Sequence, residues 1–193
     1  MLRKIIRQII SESFNLKNRT IANSERLIEL FSNQLDEDNN EMTKEVLDKI
    51  SSNDWEKQNA QSYYNAINFS KHKEMLEDYS VNEFSKMKLF KLNGYNIGYA
   101  LKKRENGKYS EIVAVFNNEQ NIKGIGKELI KSAIKNGGCY LDHFDGFLTT
   151  IYEPLGFVEY KRDSFDPQYD EDGSFRKKYG EADVIYRVHK NCI

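Results

Sequence analysis

Asn117-Asn118-Glu119-Gln120-Asn121-Ile122-Lys123-Gly124-Ile125-Gly126-Lys127-Glu128-Leu129-Ile130 is the stretch whose reading settles the architecture. The β-branched run Glu111–Phe116 that leads into it reads as an inner strand. Leu129, Ile130, Ala133 and Ile134 that follow keep the spacing of one helical face. Between strand and helix lies a polar, glycine-containing loop. The first N–H groups of a helix have no partner within it and sit at the positive end of its dipole. Glycines let an anion approach that backbone with no Cβ in the way. The loop is therefore a candidate phosphate cradle, with Lys123 and Lys127 adding positive charge. Gly-x-Gly is present, but the third glycine of a dinucleotide fingerprint and the Gly-Lys-Ser/Thr ending of a P-loop are not. Taken alone, the loop also reads as a plain turn.

Upstream, Met87–Leu92, the Asn93-Gly94 pair and Tyr95–Leu101 read as a β-hairpin. Residues 104–108 form a second polar turn before the inner strand. Downstream, Cys139–Phe144 reads as a strand, Asp145–Tyr152 as a short helix and Val158–Lys161 as a further strand. A long connection, residues 163–183, separates it from the last strand. Asp163, Asp166, Asp170, Glu171 and Asp172 make its first half acidic, and Arg176, Lys177 and Lys178 make the next part basic. It reads as a solvated insertion, or as an overhang whose acids attract a cationic amine or a Lys-bearing protein.

In this order the segments resemble the GNAT acetyltransferase superfamily, over about residues 86–190. Asn121-Ile122-Lys123-Gly124-Ile125-Gly126 corresponds to that family's Gln/Arg-x-x-Gly-x-Gly/Ala loop, and Tyr152-Glu153-Pro154-Leu155-Gly156-Phe157 to its Tyr-Glu-x-Leu-Gly-Phe pattern. The run Asn136–Leu148 is also similar to GNAT-type domains carried by bacteriophages and other mobile elements. The resemblance implies an α+β fold: a mixed, mainly antiparallel sheet flanked by helices, here with an extended helical N-terminal part. Three features depart from the pattern. Asn121 replaces the usual Gln or Arg, Asp145 stands where many members carry Asn, and no strand is evident ahead of the first helices.

The resemblance further implies acetyl-coenzyme A as co-substrate. Backbone groups of Val115, Phe116 and Asn117 would hold its pantetheine arm like an added strand, and Asn121, Ile122, Lys123, Gly124, Ile125, Gly126 and Lys127 its pyrophosphate. Tyr152 would protonate the departing thiolate. The base that relieves an amine acceptor of its proton is sought among Glu111, Glu119, Asp142 and His143, with His143 preferred because its charge switches near neutral pH. Gly156 and Phe157 would fix a turn and seal the core. The implied function is N-acyl transfer to an amine of a small molecule or protein. The alternative is a non-catalytic GNAT-like binding protein that docks on a host protein through its helical part.

That helical part is placed at residues 1–85, with the sheet domain at 86–193. Leu2, Ile5, Ile6, Ile9, Ile10 and Phe14 share one helical face, as do Leu27, Ile28, Leu30, Phe31 and Leu35. A loop ending at Glu41 follows, then a short helix around Val46, Leu47 and Ile50, then a helix from Trp55 to Phe69 capped by Asn53 or Asp54. Arg3, Lys4 and Arg7 are too few to mark a membrane or nucleic-acid surface, and packing of that helix is the better account.

The 193 residues suit one domain with a substantial core, and the net charge of −1 lacks the basic excess of a nucleic-acid binder. No apolar run reaches the roughly 20 residues needed to span a bilayer. Cys139 and Cys192 are expected to be unpaired thiols in a reducing, cytoplasmic compartment, with Cys139 a small core residue. Neither they nor His72 and His189 show metal-ligand spacing, so no zinc site is expected.

Overall fold

A computed structural model describes residues 40–56, 59–70, 73, 76–105, 107–170, 173, 176–177 and 180–193. The apolar stripes of residues 2–14 and 27–35, the Arg3, Lys4 and Arg7 cluster and His72 lie outside the described residues. The chain divides into two compact units, Met1–Met42 and Thr43–Ile193. The second begins well before the Ser85 boundary drawn from composition, because elements upstream of that residue join its sheet.

Residues 40–51 are helical (α1), so Asn40 and Glu41 belong to a helix and not to the connecting loop expected there. Val46 and Ile50 of α1 are buried in the core, as their spacing predicts. Asn53 then adopts a left-handed φ of 57° and turns the chain into strand β1, Trp55–Glu56. The expected helix from Trp55 is thus a strand at its start. β1 pairs antiparallel with β2, Lys88–Leu92, and Glu56 forms an ion pair with Lys91 at 3.2 Å. Trp55 meets Phe90 and Tyr99 edge to face. Helix α2 begins only at Ala60 and runs to Asn68; its cap is Asn59, whose side chain accepts from the Ser62 N–H at 2.8 Å. A short helix α3, Val81–Phe84, opens with a capping box between Ser80 and Glu83.

Strands β3, Ile97–Lys103, and β4, Ser110–Asn117, follow antiparallel to β2 and to each other. Helix α4, Gly126–Lys135, then crosses to β5, Gly138–Phe144, the one strand paired in parallel with its neighbour, β4, among the described strands. Helix α5, Thr149–Tyr152, and a single turn at Glu153–Leu155 lead to β6, Phe157–Asp163, and β7, Val184–His189, inserts between β5 and β6. The result is a mixed, mainly antiparallel sheet of seven strands in the order β1-β2-β3-β4-β5-β7-β6. This is the α+β architecture that the motifs imply, and β1 supplies the first strand that was not evident in the sequence.

Each sheet face carries its own apolar cluster. Leu129, Ile130 and Ala133 of α4 pack with Ile97, Tyr99, Leu101, Ile112 and Leu141 on one face. Tyr63, Ala66 and Ile67 of α2 and Phe84 of α3 pack with Ala100, Val113, Ala114 and Phe116 on the other. Cys139 of β5 is buried, as expected, but it is bonded to Cys192 and not a free thiol. The two cysteines stand 53 residues apart in sequence, and β5 and the chain end after β7 come within bonding range only because β5 and β7 are antiparallel neighbours.

Between Gly98 and Ala100 of β3 the partner strand spends one extra residue, so Ala114 and Val115 stand opposite the single Tyr99. At this bulge Ala114 takes a left-handed φ of 49°, which costs a non-glycine residue about 1–2 kcal/mol. The Tyr63 hydroxyl donates to the Ala114 carbonyl at 3.2 Å in a buried setting and offsets that cost. Tyr63→Phe keeps the ring packing and leaves this carbonyl without its donor. It should destabilise the protein by about 1–3 kcal/mol in urea unfolding.

Candidate functional site

The bulge has a consequence for β4. Its parallel pairing with β5 covers only Ser110↔Gly138 and Glu111↔Tyr140, and beyond these the two strands separate. The opening is a cleft of about 670 Å³. Its walls are residues 112–117 of β4 and 141–144 of β5, its head is Gly126, and Ser70, Leu76, Glu77 and Tyr79 close one side. Val115, Phe116 and Asn117, singled out from the sequence, all line it.

At the head of the cleft α4 begins at Gly126 with Ile125 as its N-cap, and no side chain caps its N–H groups. Gly124 has a left-handed φ of 75°, and a Cβ on either Gly124 or Gly126 would meet no atom within 4 Å. The uncapped helix start and the open space over it are what a phosphate needs. Of the loop residues only Gly126 lines the cleft; Asn121, Lys123 and Lys127 are exposed, while Ile122 and Ile125 are core residues that anchor the loop. Asn117 fastens the loop further, its amide donating to the Ile122 carbonyl at 2.8 Å. Glu119, one of the candidate bases, instead accepts from the Asn96 N–H at 2.8 Å and serves the turn.

Asp145, an acid near a proposed phosphate site, is held by Arg162 at 2.6 Å. That bond keeps its carboxyl below the usual range, and Arg162 also reaches Glu159 and Asp183. Its charge is thus matched within the protein. Among the described residues, acids of the long connection are likewise engaged: Asp163 with Lys161, Asp166 with the Gln168 N–H, and buried Asp170 with the Arg176 N–H.

Tyr152 is 8% exposed and lines the cleft. Burial first, and then the charge of Asp142, push its phenol up to about 12, so it is protonated at neutral pH. His143 lies against it, ring centroids 5.0 Å apart. Both imidazole nitrogens of His143 are engaged. Nδ1 lies 2.7 Å from the Phe144 carbonyl, and Nε2 accepts from Arg187 Nε at 2.9 Å. Arg187 is 2% exposed and also reaches Glu153 at 3.1 Å. The acceptor role of Nε2 fixes the tautomer that carries its proton on Nδ1. Arg187 was not anticipated from sequence; its pairing needs β5, β7 and the Glu153 turn brought together.

Asp142, on the opposite face of β5 from His143, is exposed over much of its surface. Its carboxyl is nonetheless pushed up to about 6, first by partial loss of water and then by the like charges of Glu111 and Glu77. Glu77 is a residue that sequence reading missed. It accepts from the Tyr79 hydroxyl, and Lys102 Nζ stands 4.0 Å from it. Among the described residues, no group of His, Cys, Asp or Glu could hold a metal ion, and no helix is long and apolar enough to cross a membrane.

The site defined by this fold is a split-strand cleft headed by an uncapped helix. No protein-family model and no curated protein matches the chain. Two solved structures of N-acetylglutamate synthase from Neisseria gonorrhoeae are similar to it. The one complexed with coenzyme A and N-acetyl-glutamate shares 16% sequence identity, covers 71% of this chain and 34% of that one, and has a TM-score of 0.43. The one complexed with coenzyme A and L-arginine shares 19%, covers 69% and 32%, and has a TM-score of 0.44. This chain thus spans about a third of the length of each solved chain.

Burial lowers the His143 pKa, and the adjacent Arg187 lowers it further, against the pull of the Phe144 carbonyl. A depressed value means that the folded state takes up this proton less readily than the unfolded one. The contribution of His143 to stability is therefore complete above the ordinary pKa of about 6.5 and falls away as pH drops through the folded value. An NMR titration of the His143 ring should give a midpoint below the ordinary histidine range.

Proposed function

We propose that this chain is an acetyl-coenzyme A-dependent N-acyltransferase acting on an amine. The observation that carries the reading is the early end of β4–β5 pairing, which opens a cleft directly beneath the uncapped start of α4. An unpaired strand edge suits an amide-bearing extended arm, and a helix start suits a pyrophosphate. The residues present therefore fit acetyl-coenzyme A. Val115, Phe116 and Asn117 would hold the arm, and the backbone at Gly124–Lys127 the phosphates. Acetyl-coenzyme A, when bound, supplies an acetyl group already activated as a thioester.

The protein's own part is positioning and proton movement. The bulge leaves an extra residue, Ala114 or Val115, outside the regular ladder, and its N–H is available to stabilise negative charge that develops in the cleft. Tyr152 keeps its proton at neutral pH and would give it up to a departing thiolate. Asp142 is the base we favour, because it lines the cleft and titrates at about 6. His143, with its Nε2 lone pair already engaged by Arg187, orients the Tyr152 ring instead.

Gly126→Glu separates cofactor binding from folding. A Cβ there meets no atom within 4 Å, and an acid in the first turn favours the helix dipole, so the variant should fold normally. Its carboxylate would occupy the phosphate cradle. Coenzyme A should bind the wild type in calorimetry and fail to bind this variant. No binding to the wild type at millimolar coenzyme would defeat the proposal and leave a non-catalytic binding protein as the better account.

Two further variants address the chemistry. Tyr152→Phe should bind coenzyme A unchanged while transfer slows by about 10²–10⁴-fold, the usual weight of a positioned acid. An unchanged rate in the chemical step would reduce Tyr152 to a packing residue. Because Asp142 accepts a proton only when ionised, transfer should rise with pH up to about 6 and then level off. In Asp142→Asn that acidic limb should disappear together with most of the rate.

A further inference from the structure

The acid-bearing end of the cleft is unlike its head. Asp142 lines it together with Glu77 from the segment after α2, Tyr79 and Tyr152; the charge of Glu111 of β4 also acts on Asp142, and the charge of Asp142 is felt by the phenols of Tyr79, Tyr152 and Tyr186. Lys102 of β3 is the cation that acts on it, and this Lys stands 4.0 Å from Glu77 and 4.9 Å from the centre of the Tyr79 ring. Arg104, which feels Glu111, lies instead with its guanidinium 4.0 Å over Tyr140. The field at Asp142 is therefore that of its carboxylate neighbours, with one cation only partly opposing them.

A second observation points independently to a ligand at the same place. Tyr152 is 8% exposed, lines the same cleft as Asp142, and its hydroxyl has no hydrogen-bond partner among the described residues. The hydroxyl itself is not among the buried polar atoms that lack a partner, so it opens onto the cleft, where an entering group can meet it. Apolar Leu141, Phe144, Leu148 and Ile151 complete the lining.

We infer that this end of the cleft is an acceptor subsite for an alkylammonium ion that carries no carboxylate, so that aliphatic amines are accepted and α-amino acids are rejected. The inference rests on the acyltransferase reading for the word acceptor, but the subsite itself is a matter of charge. An incoming ammonium gains from Glu77 and Asp142, which line the cleft, and from the nearby charge of Glu111. A carboxylate on the neighbouring carbon would face the same three groups and forfeit that gain. The reaction then balances simply. The ammonium gives one proton to Asp142, the amine nitrogen forms the new N–acetyl bond as the carbon–sulfur bond breaks, the Tyr152 proton goes to the sulfur, and the nitrogen's second proton passes through water to the Tyr152 phenolate and restores the phenol.

Pentylamine and norleucine form the matched pair that tests this, since they differ only by the carboxylate. Calorimetry with the wild-type chain should show pentylamine binding about tenfold more tightly than norleucine, a ratio that shrinks with added salt. Glu77→Gln keeps an acceptor for the Tyr79 hydroxyl and removes one charge. It should narrow the ratio several-fold, leave coenzyme A binding unchanged, and move the titration of Asp142 to lower pH in a carboxyl NMR experiment. A merely structural Glu77 would shift neither the ratio nor that titration. Equal affinities, or a preference for norleucine, overturn the inference even if coenzyme A binds and acetyl transfer is seen. If coenzyme A fails to bind while pentylamine is still preferred, the transferase reading falls and the cation subsite stands.

Discussion

The cleft of this molecule depends on β4 and β5 ceasing to pair soon after they begin. Two parallel strands side by side would normally continue their ladder, because each unpaired backbone group left away from water costs free energy. Here the ladder stops after Glu111↔Tyr140. On the β3 side the extra residue at Ala114–Val115 twists β4 away from a straight course, as bulges do. The polar edges so exposed are tolerable only if water or a ligand satisfies them. The cleft is therefore where the fold leaves hydrogen-bonding capacity unspent, and the start of α4 leaves more of it at the same place.

What makes that arrangement stable is the packing around it. The left-handed Ala114 is held from outside by the Tyr63 hydroxyl, and Tyr63 itself lies against Phe84 and Phe116. The loop before α4 is pinned from inside by Ile122 and Ile125, which are core residues although they sit in a loop. A polar loop is thus given a fixed shape by two apolar anchors. This explains how a stretch rich in Asn and Gly can present its backbone in one conformation.

Much of the fold was legible because its signals are local. The Asn93-Gly94 hairpin, the strand–glycine loop–helix passage and the turn at Gly156, with its φ of 90°, are each read from a few neighbouring residues. What escaped is non-local. β1 is two residues long, and only its hydrogen bonds to Leu92 and Lys91 make it a strand. The Cys139–Cys192 bond depends on a strand order that no spacing reveals. In the site, Val115, Phe116, Asn117, Gly126 and Tyr152 were found because they fall in or beside motifs. Glu77 was not, since it reaches the cleft from a segment without any pattern of its own. His143 looked like a base in sequence because histidine titrates near neutrality; its bond from Arg187 is invisible there.

The contrast between the two faces of β5 carries the last step. Residues alternate along a strand, so His143 and Asp142 point to opposite sides. His143 faces a satisfied interior, in which Arg187, Glu153 and the Phe144 carbonyl complete one another's hydrogen bonds. Such a network is rigid, since displacing any member strands a buried polar group. Asp142 feels the like charges of Glu111 and Glu77, which Lys102 and a backbone hydrogen bond only partly oppose. A strand that is over-determined on one side and frustrated on the other can hold Tyr152 still while leaving Asp142 free to exchange a proton. On the proposed acyl-transfer reading, the first face would supply a fixed acid and the second a responsive base to the one cleft that both line.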